Sequence, residues 1–339
     1  MGMLQNGRWI HQDTIIKNGT YLRAASPIRA ENPAAIAARM SKNPKSFLLI
    51  ASHSCPWSHR TVLLHAIRRM AVPVHYAHGP RVEGYAANGG EVWQVPGRPS
   101  YITHLHQLYT LHNPAYSGRS TVPLLWDSTE QRIVSNESSD ILKILDLVGG
   151  HHIPQVTMRP PSLRAKIEAA NQMIYHGLNN AVYQAGFAEQ QDAYDQAVTL
   201  VFETLDCINQ HLAVNRFYFG PVITETDLWI FPSLVRFDAV YAVLFKCSKR
   251  RLADYSHLWE YARDLFAVDC VRNSIDFEQM RRGCYLADGR DPNPIIAIAP
   301  DNDWFAPHLR HKLGPTQLAL RCGGFIDVDH STLSQISNG

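Results

Sequence analysis

No apolar run in this 339-residue sequence approaches the roughly 20 residues that a membrane-spanning helix needs, so none is expected. The opening Met1-Gly2-Met3-Leu4-Gln5-Asn6-Gly7-Arg8-Trp9 lacks the apolar core of a signal peptide. Excess charge is also lacking. A net charge of +2 speaks against a phosphate-binding footprint, and the short basic clusters Lys249-Arg250-Arg251 and Arg281-Arg282 read as solvated helix ends. No nucleic-acid or membrane partner is expected. Cysteine is sparse and scattered: residues 55, 207, 247, 270, 284 and 322 include no C-x-x-C pair. That excludes a disulfide framework and offers no zinc or dithiol spacing, and reduced thiols in the cytoplasm are the simplest reading. No internal repeat is present.

What is there is an ordinary globular composition, 45% hydrophobic and 18% charged, on a chain long enough for two domains. Residues 1–45 are polar and rich in Gly and Pro, with one short helical stretch from Pro33 to Met40, and read as an N-terminal extension. Phe47-Leu48-Leu49-Ile50-Ala51 predicts a buried strand, Ser52 to Pro56 a turn, and Trp57 to Met70 a helix with Val62, Leu63, Ala66, Ile67 and Met70 on one face. Val72 to Tyr76 predicts a second strand, parallel to the first across a right-handed crossover. An irregular segment over 79–100 leads to a helix around 101–112. Val122 to Asp127 and Arg132 to Ser135 then pair as a hairpin, and a helix follows Asn136-Glu137-Ser138-Ser139-Asp140. This βαβ–ββα order is thioredoxin-like and assigns 46–150 to an α/β domain. Beyond the Gly149–Pro161 linker nearly every apolar stretch has helical spacing, so 161–285 reads as an all-helical domain, with a capped start at Thr224. Residues 286–339, rich in Pro and Gly, read as a C-terminal extension that wraps the surface or dangles.

The chemistry centres on Cys55. It stands between a strand and a helix, with Pro56 at the first helical position, where free N–H groups and the helix dipole favour a thiolate. The fourth position of the motif is Ser58, so no intramolecular disulfide closes there. A monothiol forms a mixed disulfide with a small thiol, which a second thiol resolves. Val122-Pro123 precedes a strand; a cis bond would turn the Val122 backbone towards an extended ligand, and a trans edge proline is the alternative. Asn136-Glu137-Ser138 is either a plain helix cap or a site holding both charges of a zwitterion.

These residues match a known family. Ser54-Cys55-Pro56-Trp57-Ser58-His59-Arg60-Thr61 resembles the active-site motif of the Xi-class glutathione transferases, the glutathionyl-hydroquinone reductases. So do Tyr116-Ser117-Gly118-Arg119 through Trp126-Asp127, Ile133 through Ser138, Asn179 through Ala188, Leu234 through Cys247, and Asn293-Pro294. The opening Gly-x-Leu-x-x-Gly-x-Trp pattern is similar too, and the resemblance runs from roughly residue 47 to 310.

The resemblance implies the glutathione transferase architecture, a thioredoxin-like glutathione-binding domain followed by an all-α substrate domain. It implies that Cys55 takes glutathione from its conjugate, that Tyr183 donates a proton and that Tyr241 helps hold the thiolate. Arg119, Ser120, Thr121 and Val122, with Glu137 and Ser138, would bind the glutathione backbone. The family's stacking tryptophan falls on Tyr85 or, in another register, Trp93, and its third tyrosine on Cys284 or Tyr285. Ser58 stands where the family usually has alanine. The implied activity is glutathione-dependent reduction of glutathionyl-hydroquinones by a homodimer, with glutathione as co-substrate, quinone or hydroquinone conjugates as partners, and no metal. The alternatives are an Omega-like thiol transferase or dehydroascorbate reductase, and a non-catalytic carrier of hydrophobic ligands.

Overall fold

A computed structural model describes residues 2–11, 16–17, 19–150, 155–286 and 295–329. The expected motif Asn293-Pro294 lies outside the described residues. The first 45 residues hold two small hairpins as well as a helix. β1 (Met3–Gln5) pairs with β2 (Arg8–Ile10), and β3 (Ile16–Lys17) with β4 (Thr20–Tyr21). Helix α1 (Pro33–Lys42) follows, capped by the Asn32 side chain, which accepts from the Ala35 N–H at 3.0 Å.

The α/β unit is a four-stranded mixed sheet. Central β5 (Phe47–Ala51) runs parallel to β6 (Val74–Tyr76) and antiparallel to β9 (Leu124–Asp127), which pairs with β10 (Arg132–Ser135). The two-residue period of a strand explains why every residue of β5 is buried. Phe47, Leu49 and Ala51 enter one core with Leu63 and Ile67 of α2 (Pro56–Ile67) and Ile141 and Leu145 of α4 (Ser138–Leu147). Leu48 and Ile50 enter a second core with Leu105, Leu108 and Tyr109 of α3 (Leu105–His112). The predicted helix around 101–112 is therefore shorter at its start, where β8 (Tyr101–Ile102) pairs with β7 (Trp93–Gln94).

The helical unit comprises α5 (Arg164–Ile174), α6 (Ala181–Gly186), α7 (Gln191–His211), α8 (Glu225–Arg236), α9 (Ser256–Phe266), α10 (Asp269–Arg272) and α11 (Phe277–Tyr285). Thr224 and Asp227 form a reciprocal cap at the start of α8, the Thr224 N–H donating to the Asp227 carboxylate at 2.8 Å. Two π-helical turns interrupt the α-helical path, Tyr175–Asn179 before α6 and Phe237–Tyr241 after α8. None of the described helices is long and apolar enough to cross a membrane.

The chain's end departs from the expectation of a surface wrap. β12 (Thr316–Leu320) and β13 (Phe325–Val328) form a hairpin, and β12 also pairs with β11 (Val156–Thr157) in the linker region. Leu318 and Val328 are buried in the main core. Two short strands in a Pro- and Gly-rich stretch carry little periodicity, so tertiary pairing decides them.

Candidate active site

Cys55 is the N-cap of α2, with extended backbone and Pro56 as the first helical residue. Its sulfur accepts from the Ser58 N–H at 3.4 Å, and its thiol faces the Val122 carbonyl at 3.3 Å. The Val122–Pro123 bond is cis. The side chain is largely buried but lines a cleft of about 520 Å³ between the sheet and the helices.

The turn that carries Cys55 is held from the other unit. Arg236, fully buried at the end of α8, donates to the main-chain carbonyls of His53 at 2.7 Å and Ser54 at 3.3 Å, and to that of Pro232 at 2.8 Å. It also lies 3.0 Å from Nδ1 of His59. Burial, and then the Arg236 charge, hold the His59 imidazole well below its usual range, so the neutral ring accepts from Arg236. Arg81 donates to the Ser54 hydroxyl at 2.6 Å.

The π-helical turns place the tyrosines. An inserted residue in a helix swings the following side chains out of register, an arrangement common at functional sites. One turn ends on Tyr241, and the other sets the start of α6, which carries Tyr183. A buried strut fixes the second: Arg60 of α2 lies between the Trp57 and Trp229 rings, at 4.4 and 3.8 Å, and donates to the Asn179 side-chain oxygen. Asn179 in turn donates to the Trp229 carbonyl at 2.9 Å and the Ser233 hydroxyl at 2.8 Å. Burial pushes the Arg60 guanidinium down to about 9.

Tyr183 lines the cleft with Tyr21, Trp57, Phe187, Phe245 and Tyr285. Tyr241 stands behind it, buried, with the two rings edge to face at 6.2 Å. Burial, then the neighbouring Tyr241 and Cys55, raise the Tyr183 phenol well above its ordinary range; burial likewise raises Tyr241. Tyr285 donates to the Ala239 carbonyl at 3.2 Å, and Cys284 beside it also lines the cleft.

Arg119, Ser120, Thr121 and Val122 line the opposite wall. Tyr109 steadies that loop, donating to the Thr121 carbonyl at 2.7 Å and accepting from its N–H at 3.1 Å. Tyr85 faces the same cleft, its ring under the Arg81 guanidinium at 4.0 Å. Trp93 lies apart in β7, stacked on His75 at 4.5 Å. Glu137 caps α4, accepting from the Ser139 N–H at 3.1 Å and from the Ser26 hydroxyl at 3.1 Å. Ser138 is buried beside it. Neither is among the residues lining the cleft, although the Asn136 side-chain amide ties the two regions together, donating to the Tyr109 hydroxyl at 3.2 Å and the Thr121 hydroxyl at 3.4 Å.

Four cleft residues come from the first 45: Gly2, Trp9, Tyr21 and Arg23. The Arg23 guanidinium lies 4.0 Å over the Trp57 ring and adds positive charge to an aromatic wall. The opening Gly-x-Leu-x-x-Gly-x-Trp pattern marks Gly2 and Trp9; Tyr21 and Arg23 sit in a stretch with no periodic signal. Glu83, His104 and His106 bring three metal-type donors within 4.8 Å of one another, with His106 2.9 Å from Glu83, but this cluster is not part of the Cys55 cleft wall.

Residues 191–264 match the family model for the glutathione S-transferase C-terminal domain. The glutathionyl-hydroquinone reductase YqjG of Escherichia coli is 34% identical over 328 residues, spanning 91% of this chain and 98% of that protein. Its glutathione-bound structure superimposes with a TM-score of 0.72 at 35% identity, over 78% of this chain and 88% of that one. A Xi-class glutathione transferase from Natrialba magadii superimposes with a TM-score of 0.77 at 28% identity, over 92% of this chain and 97% of its own. With a relative this similar along nearly its whole length, the chain belongs to the glutathionyl-hydroquinone reductases, the Xi class of glutathione transferases.

Proposed function

We propose that this protein reduces glutathionyl-hydroquinones to hydroquinones, using Cys55 as nucleophile and free glutathione as reductant. The Cys55 thiolate attacks the glutathione sulfur of the conjugate. The carbon–sulfur bond breaks, its electron pair goes to the ring carbon, and Tyr183 supplies the proton that the carbon takes up. Hydroquinone leaves, and Cys55 holds glutathione as a mixed disulfide. The thiolate of a second glutathione attacks that disulfide, freeing Cys55 and releasing oxidised glutathione.

Arg119, Ser120, Thr121, Val122 and Tyr85 would hold glutathione along one wall, with Arg23 offering charge to its carboxylates. Glu137 and Ser138 would contribute at the end of α4. The aromatic wall of Tyr21, Trp57, Tyr183, Phe187, Phe245 and Tyr285 suits a flat hydroquinone ring. We read the protein as a cytoplasmic homodimer whose reaction needs no metal.

The observation that carries this reading is Cys55 at a helix N-terminus in one cleft with Tyr183. The test is turnover of glutathionyl-menadione with glutathione, following menadiol and oxidised glutathione together. Equal yields of both, through a protein carrying one glutathione on Cys55, are expected. Turnover confined to simple mixed disulfides or dehydroascorbate would replace this reading with the Omega-like one.

A further inference from the structure

Ser58 leaves Cys55 without a partner inside its own motif, but the helical unit brings one to the cleft. The Cys284 thiol on α11 points at the Ser54 carbonyl, 3.5 Å away, one residue before the nucleophile. Gly283 makes that approach possible: a Cβ there would stand 2.7 Å from the Ser54 Cβ, well inside contact distance. All six cysteines are free, and among the residues lining the cleft only Cys55 and Cys284 carry thiols. Burial raises the Cys284 thiol above its ordinary range, and the charges of Arg236 and Arg81 offset part of that rise.

We infer that Cys284 is a resolving thiol for Cys55. The inference rests on the mixed disulfide proposed above and adds a route out of it. The Cys284 thiolate attacks the Cys55 sulfur; the bond to glutathione breaks, and glutathione leaves with the proton Cys284 gave up. The product is a Cys55–Cys284 disulfide, with the number of disulfides unchanged. Free glutathione then reopens it in two exchanges, the first restoring the Cys55 mixed disulfide and the second releasing oxidised glutathione. When glutathione is scarce, the internal disulfide is the resting form, and it shields Cys55 from oxidation to sulfinic acid.

The test loads the full chain at Cys55 with oxidised glutathione, which requires no hydroquinone chemistry, and removes the excess. The wild-type protein is expected to release its bound glutathione and yield a proteolytic peptide pair joined through Cys55 and Cys284. Cys284→Ser and Cys284→Ala are expected to hold the mixed disulfide at least about tenfold longer, and the wild-type release should quicken from pH 7 to pH 9 as Cys284 ionises. Wild-type protein that keeps its glutathione as long as both variants, with no joined peptides, overturns the inference. Closure of the disulfide in a protein that does not turn over glutathionyl-menadione would sink the hydroquinone reading and leave this one standing.

Discussion

Arg236 at the end of α8 donates a 2.7 Å hydrogen bond to the main-chain carbonyl of His53, two residues before Cys55. The same guanidinium reaches Ser54 and Pro232, so one buried charge welds the helical unit to the loop that carries Cys55. Replacing it with methionine takes this donor from the His53 and Ser54 carbonyls, whereas Pro232 keeps its helical bond within α8. An orphaned acceptor costs about 1–3 kcal/mol, so Arg236→Met should lower stability by about that much. Arg236→Lys should recover little, because an ammonium has no planar fork to span adjacent carbonyls. Urea unfolding of both variants checks this; a midpoint near wild type for either would show that the weld is dispensable.

Cys55→Ser removes the thiol and little else, since the site is shaped by Pro56, Ser58 and the Arg236 weld. Turnover of glutathionyl-menadione should fall to background, because a serine hydroxyl does not ionise where a thiol does. Thermal unfolding should stay close to wild type. Substantial turnover by the serine variant would remove Cys55 from the reaction.

Much of this site was legible in the sequence because its signals are local. An apolar strand, a turn ending in Cys55-Pro56 and a helix are written in consecutive residues, and the structure places β5 and α2 there. The weld was not legible, since Arg236 and His53 are 183 residues apart. The π-helical turns beside Tyr183 and Tyr241 also escape periodicity, because one extra residue shifts the very pattern that reveals a helix. Tyr21 and Arg23 reach the cleft from a polar stretch that long-range packing places, such as Tyr21 stacking on Phe187 at 5.1 Å. The different surroundings of Tyr85 and Trp93 were not legible either: Tyr85 faces the cleft and Trp93 packs on His75.

Arg23 tests whether the N-terminal segment takes part in binding. Its guanidinium is held over Trp57 in the cleft, positioned to attract an anionic ligand. A charge-assisted hydrogen bond contributes about 1.5–3 kcal/mol, so Arg23→Gln should raise KM for glutathione by about ten- to a hundredfold. Unchanged kinetics would reduce Arg23 to a cover for Trp57.

Glu137 has an observed capping role and a proposed binding role, and one substitution can separate them. As the cap of α4 it accepts from Ser139, and losing such a cap costs about 0.5–2 kcal/mol of stability. As a partner for the glutathione ammonium it would set KM. Glu137→Ala should show both losses, whereas Glu137→Asn, a good cap without charge, should recover stability and keep the raised KM. Recovery of both by asparagine would leave a plain helix cap.

Tyr183→Phe distinguishes hydroquinone reduction from simple disulfide exchange. Breaking the carbon–sulfur bond of a glutathionyl-hydroquinone leaves an electron pair on carbon, and a positioned proton donor lowers that barrier. Cleaving a disulfide expels a thiolate, which needs little help. Tyr183 suits the donor role: it lines the Cys55 cleft, and burial with its neighbours keeps its phenol protonated well above the usual range. It therefore remains a donor throughout an assay from pH 6 to 9, and its own ionisation should not shape the alkaline limb. Removing the hydroxyl should slow glutathionyl-menadione turnover by about 10²–10⁴-fold, the usual contribution of general acid catalysis. Reduction of a glutathione mixed disulfide by the same variant should change by less than about tenfold. The ring packing against Tyr241, Phe187 and Phe245 is retained in phenylalanine, so a stability loss would not explain the difference. Equal losses on both substrates would assign Tyr183 to positioning Cys55, and no loss on either would take the proton donor elsewhere.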